Sequence, residues 1–240
     1  LAFPVKPEQV QQALEGICVL NISGINVTVP HKSSVIPYLD EVTPLAQKLG
    51  AVNTILNLDG RLSGTNTDIS GFVRSLGDLK FSPKNKTVVL LGAGGSARAV
   101  LAGLADAGAS RILIHNRTAG RAESLVTEFS HNFPETQLIA VSLQTVQDSN
   151  LDLLVNTTTV GMESDESPLD LSQCIKIEHV LDLIYSPAKT RLLRQAEKLG
   201  IPSVNGSGML LYQGCDAFTF WTGKPAPENV MREQLLNLLE

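Results

Sequence analysis

The chain has 240 residues, of which 43% are hydrophobic and 18% charged, and its formal net charge is −5. That composition excludes a disordered chain, and the length suffices for one large or two modest domains with a sizeable core. The acidic balance, without a Lys/Arg cluster, argues against a nucleic-acid-binding surface, and no apolar run reaches the length of a membrane span.

Taken in order, Pro4 and Pro7 lead into PEQVQQALEG, a predicted helix closed by Gly16. Ile22 to Val29 reads as a strand whose alternation sets Asn26 and Thr28 on one face. Pro30 stops it and leaves His31 and Lys32 at the strand end, where α/β proteins place their chemistry. A helix is predicted over Thr43–Leu49, ending at Gly50. A second strand over Ala51–Leu58 carries Asn53 and Thr54. Asp59-Gly60 signals a hairpin turn, and a third strand from Leu62 runs into GTNTD. Asp68 ends that strand and is predicted to cap the helix ISGFVRSLGD through its side-chain oxygen.

Thr87 to Leu91 is a short apolar run expected to be buried on both faces. Gly92, Ala93, Gly94 and Gly95 follow, and from Ser96 the apolar residues recur at helical spacing until Gly108. Strand, glycine turn and helix in that order carry a dinucleotide fingerprint, G-x-G-x-x-A, with Ala97 in the third small position. Gly92 suits the tight turn, Gly94 a close approach to a pyrophosphate, and Ala97 close helix–strand packing. The N–H groups at the helix start would face the phosphates.

RILIHNRT is a second buried strand, and its end selects the cofactor. An NAD site carries an acid about twenty residues after the glycines, on the ribose 2′-hydroxyl. Here Asn116, Arg117 and Thr118 stand in its place, with Arg121 one turn on. Guanidinium and hydroxyl groups bind a 2′-phosphate that a carboxylate would repel, so NADP is favoured.

The α/β alternation continues with a helix over Glu123–Phe129 and strands over Gln137–Val141, Leu151–Asn156, His179–Ile184 and Ile201–Val204. Thr157 to Thr159 form a polar turn at a strand end, where a nicotinamide would lie. Asp182 lies inside its strand, Tyr185 ends it, and Thr190 opens a helix closed by Gly200. MLLYQGCDAFTFWTG is apolar nearly all round and is predicted to be a buried helix with Gln213 its polar exception. A terminal helix, ENVMREQLLNLLE, follows Pro225 and Pro227, and both helices are expected to pack back on the N-terminal unit. Cys18, Cys174 and Cys215 are odd in number and far apart, which predicts reduced thiols in a cytoplasmic protein without disulfides or a metal site.

Together NVTVPHK (26–32), GAVNT (50–54), GTNTD (64–68), GAGGSARA (92–99), NRT (116–118), NTTTVGM (156–162), DLIYSPAKT (182–190) and NGSGMLLYQG (205–214) closely resemble the shikimate dehydrogenase family. The resemblance implies NADPH-dependent reduction of 3-dehydroshikimate to shikimate in aromatic amino-acid biosynthesis. It implies Lys32 and Asp68 as a catalytic pair in a cleft between two α/β domains. It also implies that Thr28, Asn53, Tyr185 and Gln213 hold the substrate, and that Leu183 and Gly206 line the nicotinamide. The plainer alternatives are that Asp68 is a helix cap, alone or as well, that Gln213 is a satisfied polar group in a buried helix, and that Tyr185 is strand-end packing. His31 is left outside the chemistry, since the family role belongs to the lysine.

The expected architecture is a substrate-binding and catalytic domain over 1–67, completed by the C-terminal helices 209–240. A linker helix and a Rossmann-type NADP domain occupy 68–208. The resemblance also implies an earlier strand and a Ser-x-Ser loop binding the substrate carboxylate, and nothing similar precedes LAFPV. That strand would lie centrally in the N-terminal sheet, so its backbone partners are expected to be unpaired. A quinate-using relative, or a silent NADP-binding relative without the loop, are the alternatives. The expected partners are small molecules only, in a monomer or homodimer.

Overall fold

Buried apolar runs at β5 (Thr87–Leu91), β6 (Arg111–His115), β7 (Gln137–Ala140), β9 (Leu153–Asn156), β11 (Val180–Asp182) and β12 (Ser203–Val204) pair into one sheet. It belongs to a computed structural model that describes residues 1–239. The strand order is β12-β11-β9-β5-β6-β7 and every pairing is parallel. This is the doubly wound Rossmann arrangement, whose switch point falls between β5 and β9. The period of two divides each strand's side chains between two cores. Val88, Leu90, Ile112, Ile114 and Val155 face α4 (Gly95–Asp106) and α5 (Ala119–Ser130). Val89, Leu91, Leu113 and Leu154 face α6 (Leu143–Gln147) and α7 (Arg191–Lys198). Helices on both faces explain why these strands are apolar without alternation. A short parallel pair, β8 (Asn150–Leu151) with β10 (Lys176–Ile177), lies beside them.

The first part of the chain builds a second, four-stranded sheet. It contains β1 (Gly24–Asn26), β2 (Glu41–Val42), β3 (Thr54–Leu58) and β4 (Arg61–Thr65), in the order β1-β3-β4-β2. β1 and β4 run antiparallel to β3, and β2 runs parallel to β4. Val10 and Leu14 of α1 (Val10–Val19) cover Ile55, Leu62 and Val35. In contrast, Leu49 of α2 (Pro44–Leu49) belongs to the core beneath α4, so the two sheets share an apolar seam. α3 (Thr67–Ser75) lies between α4 and α8 (Ser207–Thr222). α8 reaches β3, where Trp221 Nε1 donates to the Ile55 carbonyl at 3.0 Å. α9 (Glu228–Leu239) rests on α8 and is tied to α3 through Arg74, which bonds Asp216 and Glu228.

Several expectations need correction. α1 runs through Gly16 to Val19, because the glycine is simply helical there. The strand expected over Ile22–Val29 pairs only at Gly24–Asn26, and the one expected over Ala51–Leu58 begins at Thr54. The run Leu151–Asn156 breaks at Asp152, whose side chain turns to bond Lys86 and the Thr87 N–H. α8 is not buried all round: Leu211, Tyr212, Cys215 and Ala217 are buried and the remaining large residues are half-covered. Finally, Asp68 is not the cap of α3. Asn66 is, for reasons that bear on the site.

Candidate functional site

Two segments place a lysine and a carboxylate in contact. Lys32 follows the Pro30 turn after β1, and its carbonyl is held by the Val52 N–H at 2.7 Å. Asp68 sits in the first turn of α3. The Asn66 side chain accepts from the N–H groups of Asp68 and Ile69 at 3.1 and 3.3 Å, and donates to the Ala51 carbonyl at 3.0 Å. Asn66 thus satisfies helix-end donors that would otherwise recruit the aspartate. The freed carboxylate accepts from Lys32 Nζ at 2.6 Å, with the two side chains 29% and 21% exposed. The pair is therefore reachable from solvent on one side and sheltered on the other.

Beneath it lies a buried polar cluster. Asn53 Oδ1 accepts from the Thr67 N–H at 2.7 Å, the Thr67 hydroxyl at 3.2 Å and the Thr54 hydroxyl at 2.9 Å. Its oxygen is committed to holding β3 against the start of α3, which leaves the amide nitrogen for a ligand. His31 points elsewhere, with Nε2 2.8 Å from the Val5 carbonyl. Thr28 and Tyr185 are exposed, and Gln213 Nε2 donates to the Leu210 carbonyl of its own helix. Among the described residues no side-chain bond links Thr28, Tyr185 or Gln213 to the Lys32–Asp68 pair.

The glycine turn sits at the sheet's switch point. Gly92 has φ +112°, and a Cβ there would lie 2.6 Å from Thr157 Oγ1, so only glycine fits. Thr157 is fixed by its own hydroxyl, which donates to the Leu91 carbonyl at 2.8 Å. Asn116 accepts from the Ala93 N–H at 3.2 Å and donates to the Thr118 carbonyl at 2.8 Å, bracing the turn from β6. Gly94, Gly95 and Ser96 are exposed, and a Cβ on either glycine would meet only open space. Ala97 is fully buried against the sheet, while Arg117, Thr118 and Arg121 are exposed beside it.

The structure adds a group that the sequence left without a role. Asp182 is fully buried at the end of β11, in register with Asn156. Its Oδ1 accepts from Asn156 Nδ2 at 2.9 Å and the Ile184 N–H at 3.1 Å, and its Oδ2 accepts from the Thr190 hydroxyl at 2.7 Å. Burial pushes this carboxyl above its ordinary range, against the pull of those three bonds. A charged residue inside the apolar run HVLDLIY was the signal available in the sequence. Two of the thiols are poor nucleophiles: burial pushes Cys174 up to about 11 and raises Cys215 as well. Among the described residues no cluster of His, Cys, Asp and Glu could hold a metal ion, and no helix is long and apolar enough to cross a membrane. Two open surface grooves run along the loop 161–170 and α7, and none of the expected site residues lines them.

A doubly wound sheet with a glycine turn at its switch point, beside a second sheet carrying a lysine–carboxylate pair, defines a Rossmann-type α/β protein of oxidoreductase character. Family models narrow this. The shikimate dehydrogenase substrate binding domain matches residues 1–55, shikimate/quinate 5-dehydrogenase matches 75–160, and the shikimate 5'-dehydrogenase C-terminal domain matches 206–236. The shikimate dehydrogenase (NADP(+)) of Geobacter metallireducens is 44% identical over 99% of this chain and 85% of its own length. Among solved structures, shikimate 5-dehydrogenase of Listeria monocytogenes, in complex with shikimate and NAD, superposes with a TM-score of 0.90. It is 33% identical and the match covers 98% of this chain and 85% of that one. The Thermus thermophilus enzyme, in complex with NADP(H) and shikimate, gives 0.84 at 37% identity, over 98% and 85% of the two chains. The chain belongs to the shikimate dehydrogenase family.

Proposed function

We propose that this protein catalyses the reversible NADPH-dependent reduction of 3-dehydroshikimate to shikimate, a step of aromatic amino-acid biosynthesis. The observation that carries this reading is the Lys32–Asp68 contact at 2.6 Å. Reducing a ketone requires a proton at the carbonyl oxygen as hydride reaches the carbon. Lys32 Nζ donates that proton and recovers it in the opposite direction, and Asp68 holds the ammonium in place. Asn53, through its free amide nitrogen, and Thr28 hold substrate hydroxyls, with Tyr185 and Gln213 closing over them.

The cradle after β5 fits NADP. Open space before Gly94 and Gly95, with α4 starting at Gly95, suits a pyrophosphate on a helix N-terminus. The exposed Arg117, Thr118 and Arg121 suit a 2′-phosphate. When bound, NADPH supplies the hydride. Thr157, Leu183 and Gly206 line its nicotinamide half. Residues 1–67 with 209–240 form the substrate and catalytic domain, and 68–208 form the linker helix and cofactor domain. The enzyme works in the cytoplasm, as a monomer or homodimer, on small molecules alone.

The test is a spectrophotometric assay of the purified protein with shikimate or quinate and NADP+ or NAD+. Reduction of NADP+ in the presence of shikimate is expected. NADP+ binding without turnover of either acid would refute the reading.

A further inference from the structure

Asp182 is buried, and its carboxylate carries three hydrogen bonds, none of them to a group to which the proposed reaction assigns a role. Buried carboxylates are costly, and the donors to this one, Asn156, Ile184 and Thr190, are themselves buried at or near the ends of elements. Asn156, which donates to it, uses its own Oδ1 to accept from the N–H and hydroxyl of Thr158, at 3.0 and 2.7 Å. Thr190, which also donates to it, accepts from the Leu193 N–H at 3.4 Å and so caps α7. The Ile184 N–H completes the set, and the Ile184 carbonyl accepts from the Gly206 N–H at 3.2 Å. One carboxylate thus joins the ends of β9 and β11, the start of α7 and the turn before α8.

The three residues assigned to the nicotinamide half are interleaved with this network. Thr157 lies between Asn156 and Thr158. Leu183 lies between Asp182 and Ile184, and its N–H is held by the Asn156 carbonyl at 3.0 Å. Gly206 hangs from Ile184 and packs so closely on Leu183 that a Cβ would meet the Leu183 carbonyl oxygen at 1.9 Å. We infer that Asp182 is a positioning residue: through Asn156, Ile184 and Thr190 it sets the two loops that receive the nicotinamide end of the cofactor. This rests on the dinucleotide reading of the site and assigns Asp182 and Thr190 a part in it. The burial that raises the Asp182 carboxyl is the cost of placing a three-bond acceptor there.

Asp182→Ala would strand three buried donors and so measures folding more than positioning. Thr190→Val is the primary variant, because it nearly keeps the side-chain shape and removes the bond to Asp182, together with the longer cap bond from the Leu193 N–H; Thr190→Ala serves if valine does not pack. Thr190→Ser keeps the hydroxyl and is the rescue. Affinities for NADP+ and for adenosine 2′,5′-bisphosphate, which lacks the nicotinamide half, are measured by calorimetry alongside shikimate turnover. Thr190→Val is expected to lower kcat about tenfold and to weaken NADP+ while leaving the bisphosphate unchanged, with Thr190→Ser near the parent. A folded Thr190→Val with parental kcat and NADP+ affinity overturns the inference. Equal weakening of both ligands also overturns it, because that reports general loosening. If the parent itself does not turn over shikimate, the proposed reaction fails, whereas the comparison of the two ligands still decides the role of Asp182.

Discussion

Replacing Lys32 by alanine separates chemistry from stability more sharply than any other change to this protein. The side chain is 29% exposed and its ionic partner, Asp68, is 21% exposed. An ion pair so close to solvent contributes about 0–1 kcal/mol to folding. For a chain of this length that is a shift in Tm of roughly 2–4 °C at most. In the proposed reaction the same deletion removes the proton donor from the carbonyl oxygen, an effect of about 10²- to 10⁴-fold in turnover, or roughly 3–5 kcal/mol of barrier. Nothing that holds the glycine turn passes through Lys32: Thr157, Asn116 and Gly92 are bonded to Leu91, Ala93 and His115. NADP+ affinity is therefore expected to stay at the parental value. The assay follows NADPH absorbance during shikimate oxidation, with thermal unfolding and NADP+ titration on the same preparation. Turnover within tenfold of the parent refutes the role of Lys32 as proton donor, and parallel loss of NADP+ binding refutes the separation of the two sites.

Arg117→Ala is expected to weaken NADP+ by about tenfold or more while sparing NAD+, since charge-assisted bonds to a phosphate are the stronger kind. Equal losses for both cofactors, measured by titration, would remove Arg117 from the 2′-phosphate site. Gly206→Ala drives a Cβ to 1.9 Å from the Leu183 carbonyl oxygen, which is backbone and yields little. A cost on the order of 3 kcal/mol and a Tm lower by roughly 6–12 °C are expected, and an unchanged melting curve would disprove the close packing there. The acid limb of stability is expected to depend on Asp152. Burial pushes its carboxyl up, but the Lys86 ammonium at 2.7 Å and the Thr87 N–H at 2.8 Å outweigh that and leave it below its ordinary value. Its stabilisation is therefore complete above about pH 4 and is lost as pH falls through the lower native value. Asp152→Asn should be less stable at neutral pH and flatter below about pH 4 in denaturant unfolding at several pH values, and an unaltered acid limb would refute this. Asp182 has the opposite sign: its raised native value means that, taken alone, stability falls as pH rises from about 4 through that value.

Much of this protein could be read before any coordinates, because the information is local. Apolar runs without alternation mark Thr87–Leu91 and Arg111–His115 as strands covered on both faces, and they lie as expected. Gly50, Gly108, Gly200 and Gly223 stand in left-handed or otherwise positive-φ positions at or just after helix ends, as their places in the sequence suggest. Gly92, with its positive φ, announces the turn after β5. Strand ends were less legible. Pairing at β1 stops at Asn26, and that at β3 begins at Thr54, because a partner strand and not propensity decides where a ladder starts and stops.

The sequence by itself determined the order of elements, the glycine turn and the residue types available for the proposed proton transfer, since each depends on spacing within a few residues. Only the tertiary structure decided which acid does which task. Asp68 and Asn66 both suit the start of a helix, and the structure assigns the cap to Asn66 because its amide can also reach the Ala51 carbonyl. Asp68 is thereby left for a lysine far away in the chain. Asp182 read as a strand residue of no evident use, for its three donors come from positions 156, 184 and 190. Hydrogen bonds between distant segments are chosen when the sheets and helices pack, and no periodicity in a single chain records them.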